Sequence, residues 1–149
     1  MAAKRQLDGG LRLRRGRRSD LDRLRGLLSG RSEPRGERFD RRTLADLGHD
    51  VYVAEAPGGE LVGVVAVAYV RSLRAGRFAA VLDTARAAPD GGRPLLDALL
   101  DVAEERARRR GCRQVRAWLG RDDGALRAAL TSRGWQVEES VERELAPEP

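Results

Sequence analysis

The chain has 149 residues, 41% hydrophobic and 35% charged, with a formal net charge of +6, which suits one domain spanning residues 1–149 around one hydrophobic core. One Cys and one His exclude an internal disulfide and an N/S zinc site, no metal is expected, and no run of eighteen apolar residues marks a membrane span. The charge surplus is local: residues 1–25 hold nine Lys and Arg against three Asp, whereas the remainder holds twenty against twenty, and few aromatics are available to stack bases. Nucleic acid is therefore not an expected partner. The opening MAAKRQLDGG has no apolar stretch of signal type, so the expected location is cytoplasmic, with no membrane partner.

LRLRR, residues 11–15, alternates apolar and charged residues and predicts a first strand with one wet face. SDLDRLRGLL predicts a helix capped by Ser19, with Asp22 closing an S-x-x-D box, Asp20 at the positive helix end and a Leu21, Leu24, Leu28 stripe, ending near Gly30. RSEPRGERF reads as a loop, and DRRTLADLG as a short helix that Asp40 caps and Gly48 ends. VYVAEA and LVGVVAVAYV flank PGGE, a hairpin turn. The second of these strands is so apolar that both its faces should be covered. RFAAVLDTARAA supplies a fourth strand whose apolar run is interrupted by Asp83 and Arg86.

APDGGRPLLDALLDVAEERARRRG, residues 88–111, couples a Gly-rich loop to a long amphipathic helix in which Leu95, Leu96, Leu99, Val102, Ala103 and Ala107 recur at helical spacing. RQVRAWLG is a fifth strand, parallel to the fourth through a right-handed crossover. DDGALRAALTSRG is a fourth helix with Asp123 as its N-cap, and WQVEESVEREL supplies one bent or two short final strands. Trp118 and Trp135 are expected to pack in the core or at an edge, Cys112 to be a packed thiol, and His49 to sit at a helix exit.

This order of elements resembles the GNAT superfamily of CoA-dependent N-acyltransferases, from Leu11 to Leu145. LRLRRGRRSDLDRL looks like the family's opening strand and helix, VLDTARAAPD like its fourth strand and acidic loop, and SRGW like the end of its last helix. The resemblance implies a mixed, largely antiparallel sheet of six to seven strands with about four helices, of α/β (α+β) class. It implies acetyl-CoA or another acyl-CoA as co-substrate, and a small-molecule or protein amine as acceptor. The diagnostic loop departs from the family pattern R/Q-x-x-G-x-G/A: Gly91 stands at the first position, Gly92 next, Pro94 at a glycine and Leu96 at the last small residue.

Carried over by position, the expected cofactor contacts are Ala85, Arg86, Ala87, Gly91, Gly92, Arg93 and Leu95. Backbone N–H groups near Ala85 and Ala87, where the family's fourth strand bulges, would polarise the thioester carbonyl. Asp83 is the candidate catalytic base; the alternative is a strand carboxylate paired with Arg86 or Arg116. Leu130 stands where the family usually has a Tyr that protonates the thiolate. The acceptor side would lie between the first two helices and the last strands, open or completed by a partner subunit in a homodimer. The departures also fit a reading of another class: a catalytically impaired GNAT-like binding or dimerisation module that still holds CoA.

Overall fold

The structure, a computed structural model, describes residues 5–28, 42–136, 138, 143, 145 and 146. The loop RSEPRGERF, the helix stop at Gly30, the Asp40 cap and most of the expected final strands lie outside the described residues. A sheet of six strands in sequential order forms the centre: β1 (Arg5–Gln6), β2 (Arg12–Arg15), β3 (His49–Glu55), β4 (Leu61–Ser72), β5 (Arg77–Ala87) and β6 (Val115–Ala117). All neighbours are antiparallel except β5 and β6, which run parallel across the crossover. Helix α1 spans Leu21–Leu27, α2 is described over residues 42–45, α3 spans Gly92–Arg109 and α4 spans Gly124–Ser132.

The mixed α/β class and four helices are as expected, but the strand inventory differs. The two-residue β1 was not expected, and Trp135 and Gln136, where a final strand should start, carry none. The fifth strand of the sequence reading shrinks to the three residues of β6. PGGE makes the turn between β3 and β4, with Ala56 N–H donating to Glu60 O at 2.8 Å and Gly59 at φ +89°, a backbone state that glycine adopts without strain.

Each face of the sheet is covered differently. On one, Leu95, Leu96, Leu99, Leu100 and Ala103 of α3 pack with Val65, Val67, Leu82 and Tyr69, joined by Leu126, Ala129 and Leu130 of α4. Gly63 of β4 lies directly under this helix: a Cβ there would stand 3.0 Å from Leu99 Cδ1, so the glycine sets how closely α3 approaches. The opposite face carries a smaller cluster of Leu24, Val51, Val53, Leu61, Val64 and Ala66, with Leu27, Leu28 and Leu44 at its margin. Strand β4 thus has both faces covered, which accounts for its nearly continuous apolar run.

Three local expectations are corrected. Ser19 is exposed within a 3₁₀ turn (Arg18–Asp20) and caps nothing. Asp20 precedes α1 instead, and its carboxylate is drawn inward to Arg14 rather than onto the helix's own amides. Asp123 makes no side-chain cap; its Oδ2 accepts the Gly120 N–H at 2.7 Å and closes the loop before α4. Trp118 is not packed but 67% exposed, while Trp135 rests against the core and donates to Glu104 Oε1 at 3.4 Å.

Candidate active site

Asp83 owes its position to a β-bulge. Ala66 pairs with Thr84 but the next residue, Val67, pairs with Leu82, so Asp83 is the extra residue of β5. Ala80, Leu82 and Ala85 all face α3. The parity switch between Leu82 and Ala85 therefore sends two successive side chains, Asp83 and Thr84, to the other face, as a bulge does. There they border a cavity of about 80 Å³ walled by Leu21, Leu24, Leu28, Leu44, Val51 and Ala66. That space admits a few water-sized groups or the reacting end of a molecule, not a nucleotide. Asp83 is exposed, and among the described residues no ion pair or hydrogen bond engages its carboxylate. Neither Arg86 nor Arg116 pairs with it.

Past the bulge, β5 has no neighbour on one side among the described residues. Strand β6 pairs with Ala80, Val81 and Leu82 and then departs after Trp118 N–H donates to Leu82 O at 3.4 Å. Ala88 N–H donates to Val62 O at 2.7 Å, which fixes the phase of the antiparallel ladder. The amides of Thr84, Arg86 and Ala88 point at β4, so those of Ala85 and Ala87 point to the edge that β6 has left. The bulge lies at Asp83, two residues before the position expected for it, and the outward amides are those of Ala85 and Ala87. Both residues have small side chains turned to the core, and Arg86 lies between them, on the face of Asp83 by alternation.

The loop that follows brings the chain to the start of α3. Gly91 N–H donates to Ala88 O at 3.0 Å, and Gly92 takes φ +51°. A Cβ at Gly91 would collide with the Leu95 side chain, while the space around Gly92 is open. The pair is thus explained first by the turn and by packing. Leu95, expected among the cofactor contacts, does not offer itself: its side chain is buried in the core and its N–H donates to Gly91 O at 3.3 Å. Leu96 is likewise within the core. The first-turn amides with no acceptor inside the helix are those of Gly92 and Arg93, since Pro94 has none. Arg93 braces the two helices, its Nε donating to Asp97 Oδ2 at 3.0 Å and its Nη2 to Ala129 O at 3.4 Å, so only part of its guanidinium is available to a ligand.

No proton donor stands where the family's Tyr would. Leu130 is 4% exposed in the core, and the Thr131 hydroxyl donates to Arg127 O at 2.9 Å on the outer side of α4. Among the described residues no cluster of His, Cys, Asp or Glu could hold a metal, and no helix is long and apolar enough to cross a membrane.

Two charged networks that the sequence reading missed hold this site in shape. Asp20, fully buried before α1, accepts from Arg14 Nη1 and Nη2 at 2.7 Å each, from Arg23 Nη2 at 2.6 Å and from Arg17 N–H at 2.7 Å. Burial pushes its carboxyl pKa up, but the Arg14 hydrogen bonds, the Arg17 amide and the charges of Arg14 and Arg23 outweigh this and hold it below the usual carboxylate value. Asp50 on β3 accepts from Tyr69 Oη at 2.8 Å, Arg106 Nε at 3.1 Å and Arg15 Nη1 at 3.2 Å. Burial again acts upward, and Arg106, Tyr69 and Arg110 together bring that carboxyl down; burial and the Asp50 carboxylate push the Tyr69 phenol up. The first network fastens α1 over the groove. The second fixes the C-terminal end of α3, and with 18 residues spanning about 27 Å the helix then delivers its other end to the β5 edge. Hydropathy marks both acids as surface residues; their only signal is the density of Arg around them in three dimensions.

No family model matches the chain, and no curated protein matches it. Solved structures do. A ribosomal-protein-alanine N-acetyltransferase from Brucella melitensis biovar Abortus 2308 superposes with a TM-score of 0.77 at 18% identity, over 91% of this chain and 99% of that one. An aminoglycoside 6'-N-acetyltransferase from Acinetobacter baumannii gives 0.76 at 14% identity, over 94% and 100%. A transcriptional regulator from Bacillus halodurans C-125 gives 0.75 at 22% identity, over 91% and 99%, so the architecture by itself assigns no single activity. At these identities the likeness carries architecture, and the chain has the GNAT fold, the fold of these acetyltransferases.

Proposed function

We propose that the chain is an acyl-CoA-dependent N-acyltransferase, with acetyl-CoA as the donor and a small-molecule or protein amine as the acceptor. The observation that carries this reading is the junction at Leu82. There the bulge turns Asp83, a carboxylate with no partner among the described residues, into a groove, and β6 leaves the outward amides of Ala85 and Ala87 without a strand partner among them. The structure's acetyltransferase neighbours support it.

The residues fit the donor in part. The open edge at Ala85 and Ala87 would hydrogen-bond the pantetheine arm, with Arg86 between them. The turn at Gly91 and Gly92, the amides of Gly92 and Arg93 and the helix's positive end would take the pyrophosphate. Leu95 would serve only by packing. When bound, acyl-CoA supplies an electrophilic carbonyl and a thiolate leaving group. Asp83 accepts a proton from the acceptor ammonium, directly or through water, freeing the nitrogen lone pair. The β5 edge amides stabilise charge on the carbonyl oxygen as the C–N bond forms and the C–S bond breaks. With Leu130 in place of a donor, the departing sulfur takes its proton from solvent.

Two observations favour the alternative of an impaired binding module: the buried Leu130, and the hold of Asp97 and Ala129 on Arg93. Calorimetric titration with acetyl-CoA, paired with thiol release over a broad amine panel, separates the readings. For the enzyme, Asp83→Asn keeps acetyl-CoA binding while turnover falls about 10²- to 10⁴-fold, and Arg93→Ala weakens binding. Tight binding with no thiol release supports the module. A chain that binds no acetyl-CoA overturns the donor assignment and leaves only a binding or dimerisation module without CoA.

A further inference from the structure

We infer that the acceptor is a monocationic amine on an apolar body, aromatic for preference, and that Trp118 is the residue selecting it; the inference rests on the acyl-transfer reading of the groove and deepens it. Ala117 pairs with Leu82 and shares its face against the core. Alternation sends the next side chain, Trp118, to the opposite face, which is the face of Asp83 and Thr84, the residues that follow its backbone partner Leu82. The Trp118 N–H, donating to Leu82 O, holds the backbone in that position. Its indole is 67% exposed and so contributes little to the core, although it follows directly on a strand whose Val115 and Ala117 do pack.

The groove beside it has the complementary chemistry. Its described walls are leucine, valine and alanine with Thr43 and Thr84, and its charged groups among the described residues are Asp83 and Arg25. Arg25 is engaged with Asp22 at 3.3 Å, and its cation opposes the entry of further positive charge. One carboxylate suits one ammonium. A polyamine would leave its other ammonium groups against apolar walls and Arg25, at a desolvation cost that no carboxylate among the described residues offsets. An apolar ring instead gains burial against Leu24 and Val51, and the exposed indole on the same face of the sheet attracts both a ring and a cation.

The test is an NMR titration of ¹⁵N-labelled protein with 2-phenylethylamine and, separately, with spermidine, each alone and after saturation with coenzyme A. The arylamine is expected to shift the Trp118 indole N–H and the Asp83 and Thr84 amides, leaving the Trp135 indole N–H, held by Glu104, in place. Trp118→Ala should weaken it by about three- to thirtyfold, with Trp118→Phe close to the parent. Equal affinity for spermidine, unchanged arylamine affinity in Trp118→Ala, or no shift at Trp118 with or without coenzyme A overturns the inference. Acetyl-CoA titrated in the same way reports on the donor reading by itself, through the Ala85, Ala87 and Gly92 amides. If those stay fixed while the arylamine still binds, acyl transfer fails and the amine site stands.

Discussion

The two faces of the sheet are held by different forces. Under α3 the contact is apolar and closely fitted, with Leu99 and Leu100 fully buried and Gly63 admitting the helix to near contact. Under α1 the apolar cluster is smaller and incomplete, leaving a cavity, and the helix is fastened by the Asp20 network with its three arginine partners. Close packing leaves no room for a ligand, whereas a helix tied at its start by charge can stand over a gap. The single bulge in β5 then aims Asp83 at that gap.

Removing one member of the charged anchor tests the comparison most severely. Asp20→Ala strips the carboxylate from Nη1 and Nη2 of buried Arg14, leaving it only Glu55 on Nε at 2.7 Å, and should cost about 3 kcal/mol, the low end for a broken buried pair, measured by urea denaturation. A cost below about 1 kcal/mol would mean that α1 is held by packing after all. On the opposite face, Leu99→Ala should lose about 2–5 kcal/mol. Val51→Ala, at a wall that already borders empty space, should lose only about 1–2 kcal/mol. If the two prove equal, the faces are packed alike.

Acid should act on the charged networks selectively. The folded-state pKa values of Asp20 and Asp50 lie below their unfolded values, so both contribute stability that is complete above the unfolded value of about 4 and is lost as pH falls through the lower folded values. The urea midpoint should therefore hold level from neutrality to about pH 5 and drop below about pH 4; a drop already complete at pH 5 contradicts the assignment. Asp83→Asn should have the smallest effect on stability, within about 0.5 kcal/mol, because the side chain is exposed and has no described partner. A larger loss would show that Asp83 serves the fold rather than a ligand.

Much of this was legible beforehand. The hairpin around PGGE, the doubly covered β4 and the leucine face of α3 follow from period and turn chemistry, because each depends on neighbours within a few residues. The boundaries of β6 were not legible: RQVRAWLG has strand character throughout, but β6 leaves β5 after three residues and no local preference records that departure. Ser19 and Asp123 resemble caps in sequence, and both lost the role to competitors close by in the chain, the Arg14 guanidinium drawing Asp20 inward and the Gly120 amide taking Asp123, a choice among nearby partners that cap patterns do not record. Leu95 showed its helical face but not that Gly91 would close over it.

What the sequence determined by itself was the succession of elements and their buried stripes, and hence the architecture, since burial of a periodic apolar face is a local instruction repeated along the chain. The tertiary structure decided the site. A bulge exists only in relation to the strand it fails to match, an open edge only where a neighbouring strand departs, and a buried carboxylate such as Asp50 is tolerable only where Arg15 and Arg106 converge upon it from distant parts of the chain. Asp83 could therefore be named from its place in a strand, while the groove it faces and Trp118 beside it required the register of β5 with both of its neighbours.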